Sequence, residues 1–123
     1  MIELTSETFK EKICDCEDQV EFKFIGDRPV IIDFYADWCG PCKMLGPVLE
    51  NLENQDNNLK IDFYKVDIEA AADITEMMGV QGVPTLLFIP SKDKQPQIVT
   101  GALPREALQN VINDIFEEEL NVG

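Results

Sequence analysis

Histidine is absent from this chain of 123 residues. That excludes Ser-His-Asp and Cys-His nucleophilic catalysis, imidazole acid–base chemistry and His-ligated zinc. Basic residues are scarce: 10 Lys and Arg stand against 24 Asp and Glu, a net charge of −14. A polyanion of that strength is repelled by nucleic acid and by anionic membrane surfaces, so neither is expected as a partner. Long apolar runs are missing as well. The longest, Val30-Ile31-Ile32 and Leu86-Leu87-Phe88-Ile89, are strand-sized and far short of a membrane span. The opening, Met1-Ile2-Glu3-Leu4-Thr5-Ser6-Glu7, has no basic stretch and no apolar core of a signal peptide. A reducing, cytoplasmic setting is therefore expected, the alternative being the mature form of an exported protein whose leader is gone.

What is present fits one ordinary globular domain. Apolar residues make up 45% of the chain and charged residues 28%. No repeat or linker divides it, so residues 1–123 read as a single domain: an N-terminal helix, acidic loop and short extra strand over 1–29, then a core over 30–116. Thr5 or Ser6 can cap a helix running to Ile13, with Phe9 and Ile13 on one face. Cys14 to Gln19 reads as an acidic loop. Val20, Phe22 and Phe24 alternate with Glu21 and Lys23, which predicts a short half-exposed strand.

The next strand has another character. Val30 to Ala36 is almost continuously apolar, the pattern of a central strand covered on both faces. A helix follows, through Leu45, Val48, Leu49 and Leu52 to about Gln55, with Pro47 expected to kink it. Asn57-Asn58 reads as a turn and Ile61 to Val66 as a second buried strand. A helix over Glu69 to Met78 stops at Gly79. Thr85 to Ile89 and Gln97 to Thr100 form a hairpin around a charged turn. After Pro104 a last helix carries Leu108, Val111, Ile112, Ile115 and Phe116 on one stripe, its Glu117-Glu118-Glu119 end solvated. The result is an α/β fold with a central mixed β-sheet flanked by helices on both faces.

Cys39-Gly40-Pro41-Cys42 falls where the buried strand ends and a helix begins. Unpaired N–H groups at a helix entrance stabilise a thiolate. Two intervening residues let the first helical turn bring both sulfurs within bonding reach. Strand ends in open α/β sheets are also the usual place for ligands. Asp33, inside an apolar strand, should have a raised pKa. It reads either as a proton acceptor or as an ordinary buried carboxylate satisfied by Lys65. Four thiolates, Cys14 and Cys16 with Cys39 and Cys42, permit zinc by count, yet a Gly-Pro helix opening after a buried strand is unlike a zinc knuckle, and no metal is expected. Acidic neighbours should dull Cys14 and Cys16, which read as incidental or partly buried thiols in preference to a second redox site.

Trp38-Cys39-Gly40-Pro41-Cys42-Lys43 closely resembles the active-site signature of the thioredoxin family. The resemblance extends from about Val30 to Phe116 through Asp33-Phe34-Tyr35-Ala36, Lys65-Val66-Asp67, Val83-Pro84-Thr85-Leu86 and Gly101-Ala102. It implies a thioredoxin fold and protein disulfide reduction, with Cys39 as exposed nucleophile and Cys42 as buried resolving thiol. It further implies that Asp33 takes the proton of Cys42, that Lys65 tunes Asp33, and that Val83-Pro84 is a cis bond facing the dithiol. Trp38, Gly40, Pro41, Gly82, Val83, Pro84 and Gly101 would line a shallow groove in which Val83 pairs with an extended target segment. No cofactor beyond the Cys39–Cys42 disulfide is implied. The implied partners are disulfide-containing proteins and a thioredoxin reductase, met by a monomer. Tyr35 departs from the family, many of whose members carry Trp there.

Two rival functions share this fold. A thiol oxidase or disulfide isomerase would be expected to carry a His between the cysteines, and this chain has Gly40-Pro41. A docking subunit would use the same groove without turnover.

Overall fold

A computed structural model describes residues 1–15, 22–55 and 60–116. Its elements run β1 (Ile2–Glu3), α1 (Ser6–Lys12), β2 (Val30–Tyr35), α2 (Gly40–Gln55), β3 (Asp62–Asp67), α3 (Ala72–Met77), β4 (Thr85–Ile89), β5 (Gln97–Thr100) and α4 (Arg105–Ile115). The strands form one mixed sheet in the order β1-β3-β2-β4-β5. β1, β3 and β2 are parallel, while β4 lies antiparallel to both β2 and β5.

Alternation along the strands sorts the core into two layers. Val30, Ile32 and Phe34 of β2 face one way, packing with Leu87 and Ile89 against Phe9 of α1 and Ile74 of α3. Ile31 faces the other way with Phe63, Leu86 and Phe88, covered by Leu45, Leu49 and Leu52 of α2 and by Leu108, Ile112 and Phe116 at α4. β2 is thus buried on both faces, as its apolar run requires. Asp33, on the α2 face of that strand, is the one charged residue in it.

Local signals set most boundaries. Thr5 caps α1 in a reciprocal capping box: its side chain accepts from the Thr8 N–H, and the Thr8 hydroxyl accepts from the Thr5 N–H. α2 carries Pro47 and continues unbroken to Gln55. Arg105 ties α4 to α2 by donating to Asn51 and Gln55. Gly79, at φ +72°, ends the α3 region in the left-handed conformation that glycine adopts without steric penalty.

Two expectations need correction, and one strand went unread. The strand read from Val20 to Phe24 is not one among the described residues. Phe24 makes only an isolated bridge to Cys14, and the Ile25 N–H donates to the Ile13 carbonyl. The edge strand is instead β1, extended by the Leu4 N–H donating to the Lys65 carbonyl at 2.8 Å. The helix expected from Glu69 begins at Ala72, because the Asp67 carboxylate accepts the N–H groups of Glu69 and Ala70 and holds that stretch in a turn. Val20, Cys16, most of the acidic loop, the Asn57-Asn58 turn and Glu117-Glu118-Glu119 lie outside the described residues.

Candidate active site

β2 ends at Tyr35, and α2 begins five residues later at Gly40, so the intervening loop delivers Cys39 to the helix entrance. The Cys39 N–H donates to the Ala36 carbonyl at 3.1 Å, closing that loop. The Cys39 carbonyl accepts from the Lys43 N–H at 3.4 Å, the first bond of the helix. Cys39 is thus the capping residue of α2. Its sulfur accepts the Cys42 N–H at 3.2 Å, the bond a serine or aspartate oxygen would make at this position. Pro41 falls in the first turn, where a missing N–H costs nothing.

Cys39 and Cys42 are joined as a disulfide with Cα atoms 5.3 Å apart. Exposure does not separate them: Cys39 is 4% exposed and Cys42 5%. The expectation of an open Cys39 over a hidden Cys42 is corrected in this oxidised form. Both sulfurs pack with Ala36 in a small cluster that Tyr35, Ile68 and Val83 cover. What distinguishes Cys39 is the N–H aimed at its sulfur.

Asp33 lies behind the disulfide. A cavity of about 160 Å³ is lined by Asp33, Cys42, Lys65, Tyr35, Lys43 and Glu50, among others. Asp33 is 3% exposed, and its Oδ1 atom has no hydrogen-bond partner among the described residues. Burial pushes its carboxyl up to about 7, and the Lys65 ammonium only partly opposes this. Lys65 is its direct neighbour in the parallel pairing of β2 with β3.

The outer face carries the remaining predicted residues. The Val83–Pro84 bond is cis, and Val83 packs on the disulfide cluster. Gly101, at φ +107°, donates its N–H to the Pro84 carbonyl at 2.8 Å. The Thr85 hydroxyl donates to the Gly82 carbonyl at 2.6 Å, fixing the approach to Pro84. Trp38 is 68% exposed, with its indole N–H donating to Glu69 at 2.6 Å. Gly40 and Pro41 are exposed beside it.

Sequence reasoning missed Glu3 and Glu69. Glu3 accepts the Tyr35 hydroxyl at 2.7 Å across the sheet edge, a contact that the unread strand β1 creates. Cys14 is also different from its reading. It is fully buried but disulfide-bonded, and so not the incidental or partly buried thiol expected. Among the described residues no group of three or more His, Cys, Asp or Glu is placed to hold a metal ion.

The thioredoxin family model matches residues 1–114. A thioredoxin of Borreliella burgdorferi is 50% identical over 115 residues, covering 94% of this chain and 97% of the relative. A Malassezia sympodialis thioredoxin is 43% identical over 79 residues, 64% of this chain and 74% of its own length. Among solved structures, chloroplastic thioredoxin z superposes with a TM-score of 0.73 at 26% identity, covering 94% of this chain and 93% of that one. The Malassezia sympodialis thioredoxin structure gives 0.71 at 34% identity, covering 94% and 91%. With a Cys-Gly-Pro-Cys disulfide capping the helix that follows a buried central strand, the chain belongs to the thioredoxin family and is a protein disulfide reductase.

Proposed function

We propose that Cys39 is the nucleophile and Cys42 the resolving thiol of this reductase. The observation that carries the assignment is the Cys42 N–H directed at the Cys39 sulfur. In the reduced protein that donor and the helix entrance stabilise a thiolate on Cys39 more than one on Cys42. The thiolate attacks a target disulfide, forming a Cys39–target bond and expelling the target's other sulfur. Cys42 then loses its proton and attacks Cys39, restoring the internal disulfide and releasing the second target thiolate. Two electrons pass to the target in each cycle.

Asp33 accepts the Cys42 proton in this reading, and Lys65 modulates it. A carboxyl near 7 that shares a cavity with Cys42 supports that role, and the cavity has room for a bridging water. Trp38, Gly40, Pro41, Gly82, Val83, Pro84 and Gly101 form the docking groove. The contact of Val83 with the disulfide cluster and the exposure of Trp38 support this. The family implies disulfide-containing protein targets and a reductase that recharges the dithiol. We assign the chain to the cytoplasm, acting as a monomer. No helix among the described residues is long and apolar enough to cross a membrane.

The test is reduction of insulin disulfides together with trapping. The parent chain should accelerate reduction, C39S should be inactive, and C42S should accumulate a stable mixed disulfide through Cys39. A C39S protein that still traps targets through Cys42 would reverse the assignment.

A further inference from the structure

Strand pairing across the sheet sets Glu3, Lys65 and Asp33 in one row, Glu3 opposite Lys65 and Lys65 opposite Asp33. All three sit on the α2 side of the sheet. Tyr35 follows Asp33 by two residues on β2 and therefore shares that side. Its ring reaches across the row: the hydroxyl donates to Glu3 at 2.7 Å, and the Lys65 ammonium lies 5.7 Å from the ring centroid. Ion pairs between the described residues do not join Lys65 to Asp33. The ammonium is held by an aromatic face that is itself tethered to an acid on the sheet edge.

We infer that Glu3 and Tyr35 are a positioning pair that holds Lys65 over the Tyr35 ring and so sets how readily Asp33 takes the proton of Cys42. The inference rests on the assignment of Asp33 as proton acceptor. Neither residue touches the reacting sulfurs; both act through Lys65. In the step concerned, the Cys42 thiol gives its proton to the Asp33 carboxylate. The Cys42–Cys39 bond forms as the Cys39–target bond breaks, and the electron pair leaves with the target sulfur.

Other charged groups face Asp33 as well. From α2 come Cys42, with Lys43 and Glu50 of opposite sign at the cavity wall, and the loop after β2 adds Asp37. The Met1 ammonium at the rim is engaged by Glu53 at 3.0 Å. β4 contributes only apolar Leu86 opposite Asp33. Lys65 is therefore the neighbour in register whose position can change the proton affinity most, and Glu3 with Tyr35 governs that position. Removing the Glu3 charge lowers the affinity directly and also lets Lys65 move toward Asp33. Both effects have the same sign.

The experiment follows release of thionitrobenzoate from a preformed Cys39 mixed disulfide by stopped flow, as a function of pH. Glu3→Gln should move the midpoint of the profile down by about half a unit at low salt, the scale of one charge two strands away. Tyr35→Phe, which keeps the ring and removes the tether, should move it the same way by less. Glu3→Asp should restore much of the shift, and Glu11→Gln, on α1 beyond the opposite face, should leave the midpoint in place. Asp33→Asn should abolish the ionisation itself. If Asp33→Asn leaves the profile intact, the role of Asp33 is wrong. If it abolishes the ionisation while Glu3→Gln and Tyr35→Phe superimpose on the parent, the positioning pair is wrong. An equal shift in Glu11→Gln would reduce the effect to net charge and also overturn the inference.

Discussion

The backbone N–H of Cys42 points at the sulfur of Cys39 from 3.2 Å, across the first turn of α2. A thiolate there gains a charge-assisted bond and the positive end of the helix, whereas Cys42 sits one turn further in beside a buried carboxyl. On limited alkylation of the reduced protein near neutral pH, Cys39 should react first, and its thiolate should form well below the value of about 8.5 for a free cysteine. Mass mapping of the alkylated peptides and thiolate absorbance against pH check both points. Preferential labelling of Cys42 would contradict the capping geometry.

Asp33 makes stability depend on pH. Its folded-state pKa, about 7, lies above the unfolded value of 3.8, so the folded chain holds a proton that the unfolded chain has released. Stability therefore falls as pH rises from about 4 to about 7, then levels off. Asp33→Asn keeps the shape and cannot ionise. It should match the parent near pH 4 and be more stable at pH 8, with a ceiling of about 4 kcal/mol from the size of the shift. Denaturant unfolding of the oxidised proteins at several pH values measures the difference. A gain of equal size at pH 4 and pH 8 would mean that packing, not ionisation, is responsible.

Features that depend on neighbouring residues were legible in the sequence, and those that depend on register were not. The apolar run of β2, interrupted only by Asp33, the Cys-Gly-Pro-Cys helix entrance and the β4–β5 hairpin each announce themselves locally. β1 does not, since Ile2 and Glu3 alone are too short to show alternation and become a strand only by pairing with β3. Missing β1 also hid the Glu3–Tyr35 bond, although Tyr35 was visible as a departure from the family. The alternation at Val20 to Phe24 is a local pattern that tertiary pairing does not use beyond one bridge among the described residues. For Asp33, its place inside an apolar strand predicts the raised pKa. Only the structure supplies the cavity it shares with Cys42.

The layer beneath α4 offers a control for these site variants. Phe116 is fully buried and packs on Phe88 with ring centroids 6.1 Å apart. Phe116→Ala should cost about 3 to 5 kcal/mol in unfolding free energy. Because Phe116 belongs to the core cluster under α2 and α4 and not to the one that holds Cys39 and Cys42, the variant's insulin-reduction rate per folded molecule should stay near the parent's. A selective loss of activity in folded protein would show that α4 packing reaches the site.

Glu69 bears on target docking through Trp38. The indole is largely exposed, yet its N–H is fixed by the Glu69 carboxylate at 2.6 Å, so the ring is oriented before a target arrives. Glu69→Ala leaves the chemistry of the sulfurs untouched and releases the ring to other rotamers. The expected result is a KM for insulin raised by up to about fivefold, the worth of one exposed charge-assisted bond, with kcat little changed. Glu69→Gln retains an acceptor and should fall between the two. Trp38 is the only tryptophan, so fluorescence anisotropy decay reads its mobility directly. Faster indole motion in Glu69→Ala without a change in KM would separate the anchoring of Trp38 from target binding and remove Glu69 from the docking surface.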